Sequence, residues 1–94
     1  LENGLINIAL SKLGMEQYEE AIADLTKVID QRDESLARAY FYRGEALYEL
    51  KEKEKACTDW TKASNLEYEL ATQNLNDFCN STLNNQKRDI KIVF

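Results

Sequence analysis

Two cysteines, Cys57 and Cys79, are the residues best suited to do chemistry, because a thiol can act as a nucleophile, bind a metal or form a disulfide. They are 22 positions apart, with neither a C-x-x-C spacing nor a second pair of cysteines. A tetrahedral metal site and a thiol–disulfide enzyme are therefore the least favoured interpretations. Two others stay open: buried thiols that pack as small apolar side chains, or a disulfide, which needs Cα atoms about 4.4 to 6.8 Å apart.

The acidic side chains do not form a recognisable catalytic pair. The sequence contains no histidine, the commonest general base, and no glycine-rich phosphate-binding loop. Glu19, Glu20 and Asp24 recur at the spacing of an exposed helix face with lysines nearby, and so do Glu45 and Glu49. This spacing favours a solvated surface. We therefore expect a protein that is not an enzyme and needs no metal or other cofactor.

The charge of the chain limits the partners that it is expected to have. Twelve basic and seventeen acidic residues give a net charge of −5, and Lys and Arg do not gather into a long cationic stripe. We therefore expect neither nucleic acid nor an acidic membrane surface as a partner. Apolar runs are only a few residues long, far short of the ~20 residues that a membrane-spanning helix needs, so membrane insertion is not expected.

Composition and periodicity predict that the chain is mainly helical. There is no proline, there are only three glycines, and apolar residues recur every three or four positions. Breaks in this pattern predict short turns at Gly14, around residues 32–35, at residues 51–52 and around residues 66–68. Short turns would make neighbouring helices antiparallel. The predicted helices span residues 3–13, 17–31, 36–50, 53–65 and 69–82.

An internal repeat with a period of 35 residues explains the small residues around the single tryptophan. At this shift large side chains align with large and small with small; Ala21 aligns with Ala56, and Leu25 with Trp60. We expect Ala56 to let the preceding helix approach closely at Gly44, with Trp60 filling the space beside it. A glycine within a helix costs about 1 kcal/mol relative to alanine, and close packing would offset that cost.

The aligned residues form one series of large and small side chains that occurs twice. The second copy carries Tyr40, Arg43, Gly44, Leu47, Ala56, Trp60 and Ala63, and the first carries Leu5, Ile8, Ala9, Lys12, Ala21, Leu25 and Val28. Over residues 3–66 this series resembles the tetratricopeptide repeat, a helix-turn-helix unit. The chain departs from the family at Arg43, where leucine is preferred, and at Lys12, where an aromatic residue is preferred. The resemblance implies an all-α fold of antiparallel helix-turn-helix repeats, an α-solenoid of about five helices.

We expect one domain over residues 1–83 and a polar tail over residues 84–94. Within the domain the repeats would span about residues 3–35 and 36–68, and a capping helix would span about residues 69–83. An array of repeats needs such an end helix, because each repeat leaves an apolar face that only a neighbour covers. The residues of the capping helix predicted to face inward are Leu70, Ala71, Leu75, Phe78 and Cys79.

The resemblance also implies a function, because the first helix of each repeat in this family lines a concave groove that takes peptides from partner proteins. The leading hypothesis is a non-enzymatic protein–protein interaction module that binds a partner peptide or helix there. Capture of a chaperone's C-terminal carboxylate is not expected, since Ile6, Leu10 and Tyr42 stand where that activity needs Lys and Asn. Carried over position by position, the groove residues are Asn3, Ile6, Leu10, Leu13, Arg38, Phe41, Glu45, Tyr48 and Glu49.

Two alternatives concern the same residues. Phe41 and Tyr48 could pack between helices instead of contacting a ligand. The chain could also be a structural or self-assembly fragment of a longer repeat protein that pairs through its first helix, whose apolar residues spread wider than the second helix can cover. Such a homo-oligomer would bury three residues against a second copy or against its tail of residues 90–94: Ile6, Leu10 and Leu13.

The compartment stays open between the cytoplasm and the periplasm of a bacterium. The chain begins with Leu1 and has no signal-peptide pattern, as expected of a piece of a longer protein. A bridge between Cys57 and Cys79 would favour an oxidising compartment such as the periplasm.

Overall fold

Two helical hairpins followed by a shorter helix make up the fold, so the predicted all-α class is confirmed. The computed structural model describes residues 2–31 and 36–79; the expected boundary at residue 83 and the tail of residues 84–94 lie outside them. The first repeat consists of α1 and α2, and the second repeat of α3 and α4. The helices are α1 (Glu2–Gly14), α2 (Tyr18–Gln31), α3 (Leu36–Glu49), α4 (Lys53–Asn65) and α5 (Glu69–Asn74), and α5 continues into a π-helical turn (Leu75–Cys79).

Three turns end their helices in the same way, with one residue in the left-handed conformation. These residues are Glu16, Lys51 and Glu67, with φ of 62°, 69° and 69°. In the first turn the Gln17 amide donates a 2.8 Å hydrogen bond to the Lys12 carbonyl, which caps the end of α1 in the manner of a Schellman motif. The predicted turn at Gly14 is displaced by one residue, because Gly14 is the last residue of α1, with a φ that is not positive, and the turn begins at Met15.

Close packing between α3 and α4 occurs where the size pattern predicts it. A Cβ atom added to Gly44 would lie 2.5 Å from Nε1 of Trp60 and 3.1 Å from the Ala56 carbonyl oxygen. The indole Nε1 also donates a 3.1 Å hydrogen bond to the Phe41 carbonyl, so the ring is held in place by its polar edge as well as by packing. The expected contact of Trp60 and Ala56 with Gly44 is confirmed.

Each repeat has its own hydrophobic core, and the partly buried Tyr42 packs against both cores. The first core contains only aliphatic side chains: Ile6, Ala9, Ala21, Leu25, Val28 and Ala39. The second core contains aromatic rings and part of the capping helix: Phe41, Leu47, Ala56, Trp60, Ala63, Ala71 and Cys79. The two cores meet at the packing of α2 against α3, which fixes how the repeats stack.

Two aspartates at equivalent positions are buried, with 8% of Asp24 and 4% of Asp59 exposed. Asp24 accepts a 2.8 Å hydrogen bond from Nζ of Lys12. Asp59 accepts two from the guanidinium of Arg43, at 2.7 and 3.0 Å, and the same guanidinium donates to the Thr26 hydroxyl of α2 at 3.2 Å. The expectation that Asp24 belongs to a solvated face was wrong, because its carboxylate is buried and is paired with the partly exposed Lys12.

The capping helix is fastened to α4 by a disulfide between Cys57 and Cys79, whose Cα atoms are 6.0 Å apart. Ala71 is buried as predicted, but Leu70 is 49% exposed. The prediction for Leu70 was wrong because α5 directs Ala71 at α4, and the preceding residue is rotated by about 100° around the helix. Phe78 is 38% exposed, and its ring centroid still lies 5.1 Å from that of Tyr48.

Candidate functional site

A groove lies between the first helices of the two repeats and has a volume of about 280 Å³. Leu10 and Leu13 of α1 supply its apolar surface and pack with their inner sides on the first core. Tyr42 comes from α3, and Tyr18 comes from the start of α2 because the turn after α1 is short. We call this surface the α1–α3 groove, and the residues that line it are Leu10, Leu13, Tyr18, Tyr42, Glu45 and Glu49.

Carboxylates surround Tyr18 at one end of the α1–α3 groove. Partial burial raises the pKa of Tyr18 above its ordinary value of 10.0, and the negative charges of Glu49 and Glu16 raise that pKa further. Glu45 is half-buried and accepts a 2.8 Å hydrogen bond from Nδ2 of Asn74, which links the groove to α5. The groove is therefore both apolar and negatively charged.

The polar side chains of Arg38, Tyr42 and Tyr68 interact with one another. Of these three residues, Tyr42 lines the groove. Burial raises the pKa of Tyr68 above 10.0, and the neighbouring Tyr42 raises it further, whereas the positive charge and hydrogen bonding of Arg38 lower it. Arg38 and both tyrosines are partly exposed.

Five of the residues named from the family resemblance lie at or beside this surface. Leu10, Leu13, Glu45 and Glu49 line the α1–α3 groove, and Arg38 is partly exposed near Tyr42. Ile6 does not line it: this side chain is completely buried in the first core, one helical turn from Leu10. The side chain of Asn3 lies outside the described residues.

Phe41 and Tyr48 pack against aromatic neighbours. Phe41 is only 6% exposed, and its ring centroid lies 5.0 Å from that of Tyr42 and 5.1 Å from that of Tyr68. Tyr48 lies beside Trp60, with 5.6 Å between the ring centroids, and also contacts the capping helix. These contacts fit the alternative in which both residues pack between helices, so we leave them out of the candidate site.

Sequence reasoning missed Tyr18 and Tyr42 as groove residues. Tyr42 occupies a position already compared with the chaperone-binding members of the family, and its large ring was a usable signal. Tyr18 follows a turn whose geometry depends on the left-handed Glu16, and nothing in the residue pattern marks that conformation for a glutamate.

The disulfide forms part of a second surface, on the outside of α4. A cleft of about 480 Å³ lies along the bridge, between α4 and the π-helical turn. Because both sulfur atoms are bonded to each other, neither is a thiolate that could attack a substrate or bind a metal. The residues lining this cleft are Lys53, Glu54, Cys57, Thr58, Thr61, Leu75 and Cys79.

Within residues 2–31 and 36–79, no group of three or more acidic or sulfur-containing side chains is arranged to hold a metal ion. Nor is any helix in that part of the chain both long and apolar enough to cross a bilayer.

Comparison with known proteins gives one family. The family model described as the tetratricopeptide repeat matches residues 4–35 and 38–66, which correspond to the two helical hairpins. No curated protein matches the chain. No solved structure matches it either.

Proposed function

Because the chain belongs to the tetratricopeptide repeat family, whose repeats generally mediate protein–protein interaction, we propose that it is a non-enzymatic module that binds a partner peptide or helix in the α1–α3 groove. The observation that carries this proposal is the partly exposed apolar surface of Leu10 and Leu13 between Tyr18 and Tyr42. A bulky side chain of a partner that enters this groove would bury apolar area on both molecules.

The composition of the groove supports a protein ligand. Tyrosine supplies large contact area together with a hydroxyl group, and it is enriched at the energetically dominant positions of protein interfaces. Tyr18 and Tyr42 face the groove from different helices, and both belong to elements held by the packed cores. A ligand would therefore meet a largely preformed surface.

Selection from a random peptide library against the full chain tests this proposal. We expect selected peptides to bind the Leu10→Gln variant about tenfold more weakly, because Leu10 is a central apolar residue of the groove. Ile8→Gln is the matched control: it makes a similar change on α1, but Ile8 is 51% exposed and does not line the groove. Selected peptides that bind both variants equally would contradict the proposal.

A second candidate function, self-assembly through α1, is favoured by the exposure of Ile8. Ile8 occupies the position that Arg43 has in the second repeat, and Arg43 reaches Thr26 of the preceding repeat. By this correspondence Ile8 lies where another repeat, or a second copy, would pack. The expected interface therefore centres on Ile8 and no longer on Ile6, which is buried within the chain.

Sedimentation velocity over a range of concentrations tests the second candidate. A mass that rises with concentration, and that Ile8→Gln returns to the monomer value, is expected if α1 pairs with another copy. A monomer at every concentration would leave peptide binding as the proposed function.

A further inference from the structure

The charge around the α1–α3 groove indicates what kind of peptide fits it. Glu45 and Glu49 line the groove, and Glu16 lies beside Tyr18. A second depression, of about 210 Å³, shares Tyr18 with the groove and extends its acidic surface across the start of α2. The residues lining this second depression are Glu16, Gln17, Tyr18, Glu19, Glu20 and Leu50. We call Glu16, Glu45 and Glu49 the acidic rim.

Among the residues that the structure describes, no lysine or arginine forms an ion pair with the acidic rim. Across the two stretches that the structure describes, the ion pairs found join other residues: Lys12 with Asp24, Arg43 with Asp59, and Lys55 with Glu52. Glu45 accepts a hydrogen bond from the uncharged Asn74. Glu49 and Glu16 are exposed to solvent and face Tyr18. Their negative charges are therefore available to a positively charged ligand.

We propose that the α1–α3 groove binds a partner segment in which one bulky apolar side chain is flanked by lysine or arginine. The apolar side chain packs on Leu10 and Leu13, and the flanking cations lie against the acidic rim. Lysine and arginine also interact favourably with the faces of tyrosine rings, and Tyr18 and Tyr42 supply two. An acidic segment would be repelled by the same carboxylates, which gives the groove a basis for discrimination. This inference rests on the proposed function and specifies its ligand.

The chain contains a segment of similar chemistry that could compete for the groove. Residues 87–94 combine Lys87, Arg88 and Lys91 with several apolar residues, and they lie outside the described part of the structure. A separate partner and these residues of the chain itself are therefore two occupants that an experiment can distinguish.

Fluorescence anisotropy with three labelled peptides tests the proposal on the full chain. The probe is Gly-Ser-Lys-Arg-Leu-Lys-Arg-Ser-Gly; one control peptide has Glu in place of every Lys and Arg, and the other has Ser in place of Leu. We expect the probe to bind about tenfold more tightly than either control. Its binding should weaken as ionic strength rises, because salt screens exposed charges.

Two charge reversals locate the binding site. Glu49→Lys should weaken probe binding about fivefold, because an exposed attraction becomes a repulsion. Glu54→Lys is the matched control: it makes the same change in net charge on α4, beside the disulfide cleft. Circular dichroism checks that both variants keep their helices.

Several results would overturn the inference. They are equal binding of the acidic peptide, equal effects of the two charge reversals, or no binding of the probe. Tighter probe binding by a full chain carrying Lys87→Glu, Arg88→Glu and Lys91→Glu would assign the groove to the chain's own tail and would also overturn it. The library selection remains a separate test: peptides that depend on Leu10 but are not basic would contradict only this inference.

Discussion

The two repeats have the same helical register but fill it with different side chains. The first repeat packs Leu25 and Val28 against Ala9, whereas the second packs Trp60 against Gly44 at the equivalent positions. The exchange conserves space: a larger ring on the second helix is matched by a smaller residue on the first. A repeat can therefore keep its geometry while its core changes from aliphatic to aromatic.

The ion pairs of the two buried aspartates also differ between the repeats. Asp24 and Asp59 are 35 positions apart, but their partners are not at equivalent positions, because Lys12 corresponds to Leu47 and Arg43 corresponds to Ile8. The basic partner of the aspartate therefore lies on the first helix in both repeats, but its position differs by one helical turn between them. The aspartate keeps its position in both repeats, and a long basic side chain can reach it from either of these two positions on the first helix.

Removing the central side chain of each core should have the largest effect. We expect Trp60→Ala to lower the free energy of unfolding by about 4 kcal/mol and Leu25→Ala by about 3 kcal/mol, because each leaves a cavity in a fully packed site. Chemical denaturation followed by circular dichroism measures both. A larger loss for Leu25→Ala would mean that the aliphatic core holds the molecule together more strongly.

Removing the disulfide should have the next largest effect on the free energy of unfolding, and it should act mainly on the second repeat. We expect the Cys57→Ser, Cys79→Ser variant to lose about 3 kcal/mol, because the bridge restricts the unfolded chain. Trp60 is the only tryptophan, so its fluorescence during denaturation reports on the second repeat. Adding reductant to the unmodified chain should give the same shift, and a reductant effect on the double variant would show that another process is responsible.

Gly44→Ala tests whether the match between glycine and tryptophan is specific. We expect a loss of about 2 kcal/mol, since the new Cβ would overlap the indole ring. In a Trp60→Leu background, which copies the first repeat, the same change should cost much less. A double-mutant cycle measures this coupling, and additive effects would refute it. Gly14→Ala is the control: no atom outside the adjoining backbone lies within 4 Å of the added Cβ, so a small gain is expected.

Glycine substitutions in the turns should change stability equally in the two repeats. Glu16 and Lys51 adopt the left-handed conformation, in which glycine has no steric cost. We expect Glu16→Gly and Lys51→Gly each to raise the free energy of unfolding by about 0.5 kcal/mol, a net gain after the entropy cost of glycine. Thermal denaturation measures the gain. Unequal signs would show that the two turns differ more than their backbones indicate.

The smallest expected effect is a loss of stability at high pH that comes from the ion pair of the first repeat. The hydrogen bond with Asp24 raises the pKa of Lys12 above 10.5 in the folded state. Its contribution to stability is therefore fully present below pH 10.5 and is lost as the pH rises through the raised pKa. Lys12→Arg should lose less stability in that range, because arginine stays protonated. Denaturation series at neutral pH and above pH 10.5 compare the two proteins, and parallel losses would contradict this account.

The pattern of large and small residues in the sequence predicted more of the fold than the pattern of charged residues did. The contact of Gly44 with Trp60 followed from the sequence because steric matching leaves few alternatives at helical spacing. The buried aspartates were missed because acidic residues on helices are usually solvated, although the 35-residue alignment of Asp24 with Asp59 was a signal for them.

The candidate site was predicted less completely, for reasons of geometry. Ile6 and Leu10 are one turn apart on α1, so a small rotation of the helix decides which of them is buried, and periodicity does not set that rotation. Phe41 and Tyr48 depend on how the capping helix is placed, which a disulfide and a π-helical turn determine. Residue spacing alone determines neither the rotation of α1 nor the placement of the capping helix.

The Cys57–Cys79 bridge should also influence the order in which the described helices open. The outer helices of a repeat array have neighbours on only one side, so they normally fray first and exchange their amide hydrogens fastest. In this chain the helix after the last repeat is covalently tied to α4, whereas α1 is held by packing and the ion pair of Lys12. We therefore expect directional fraying among the described helices: amide exchange should start at α1 and move toward the cross-linked end, and reduction of the bridge should allow it to start at both.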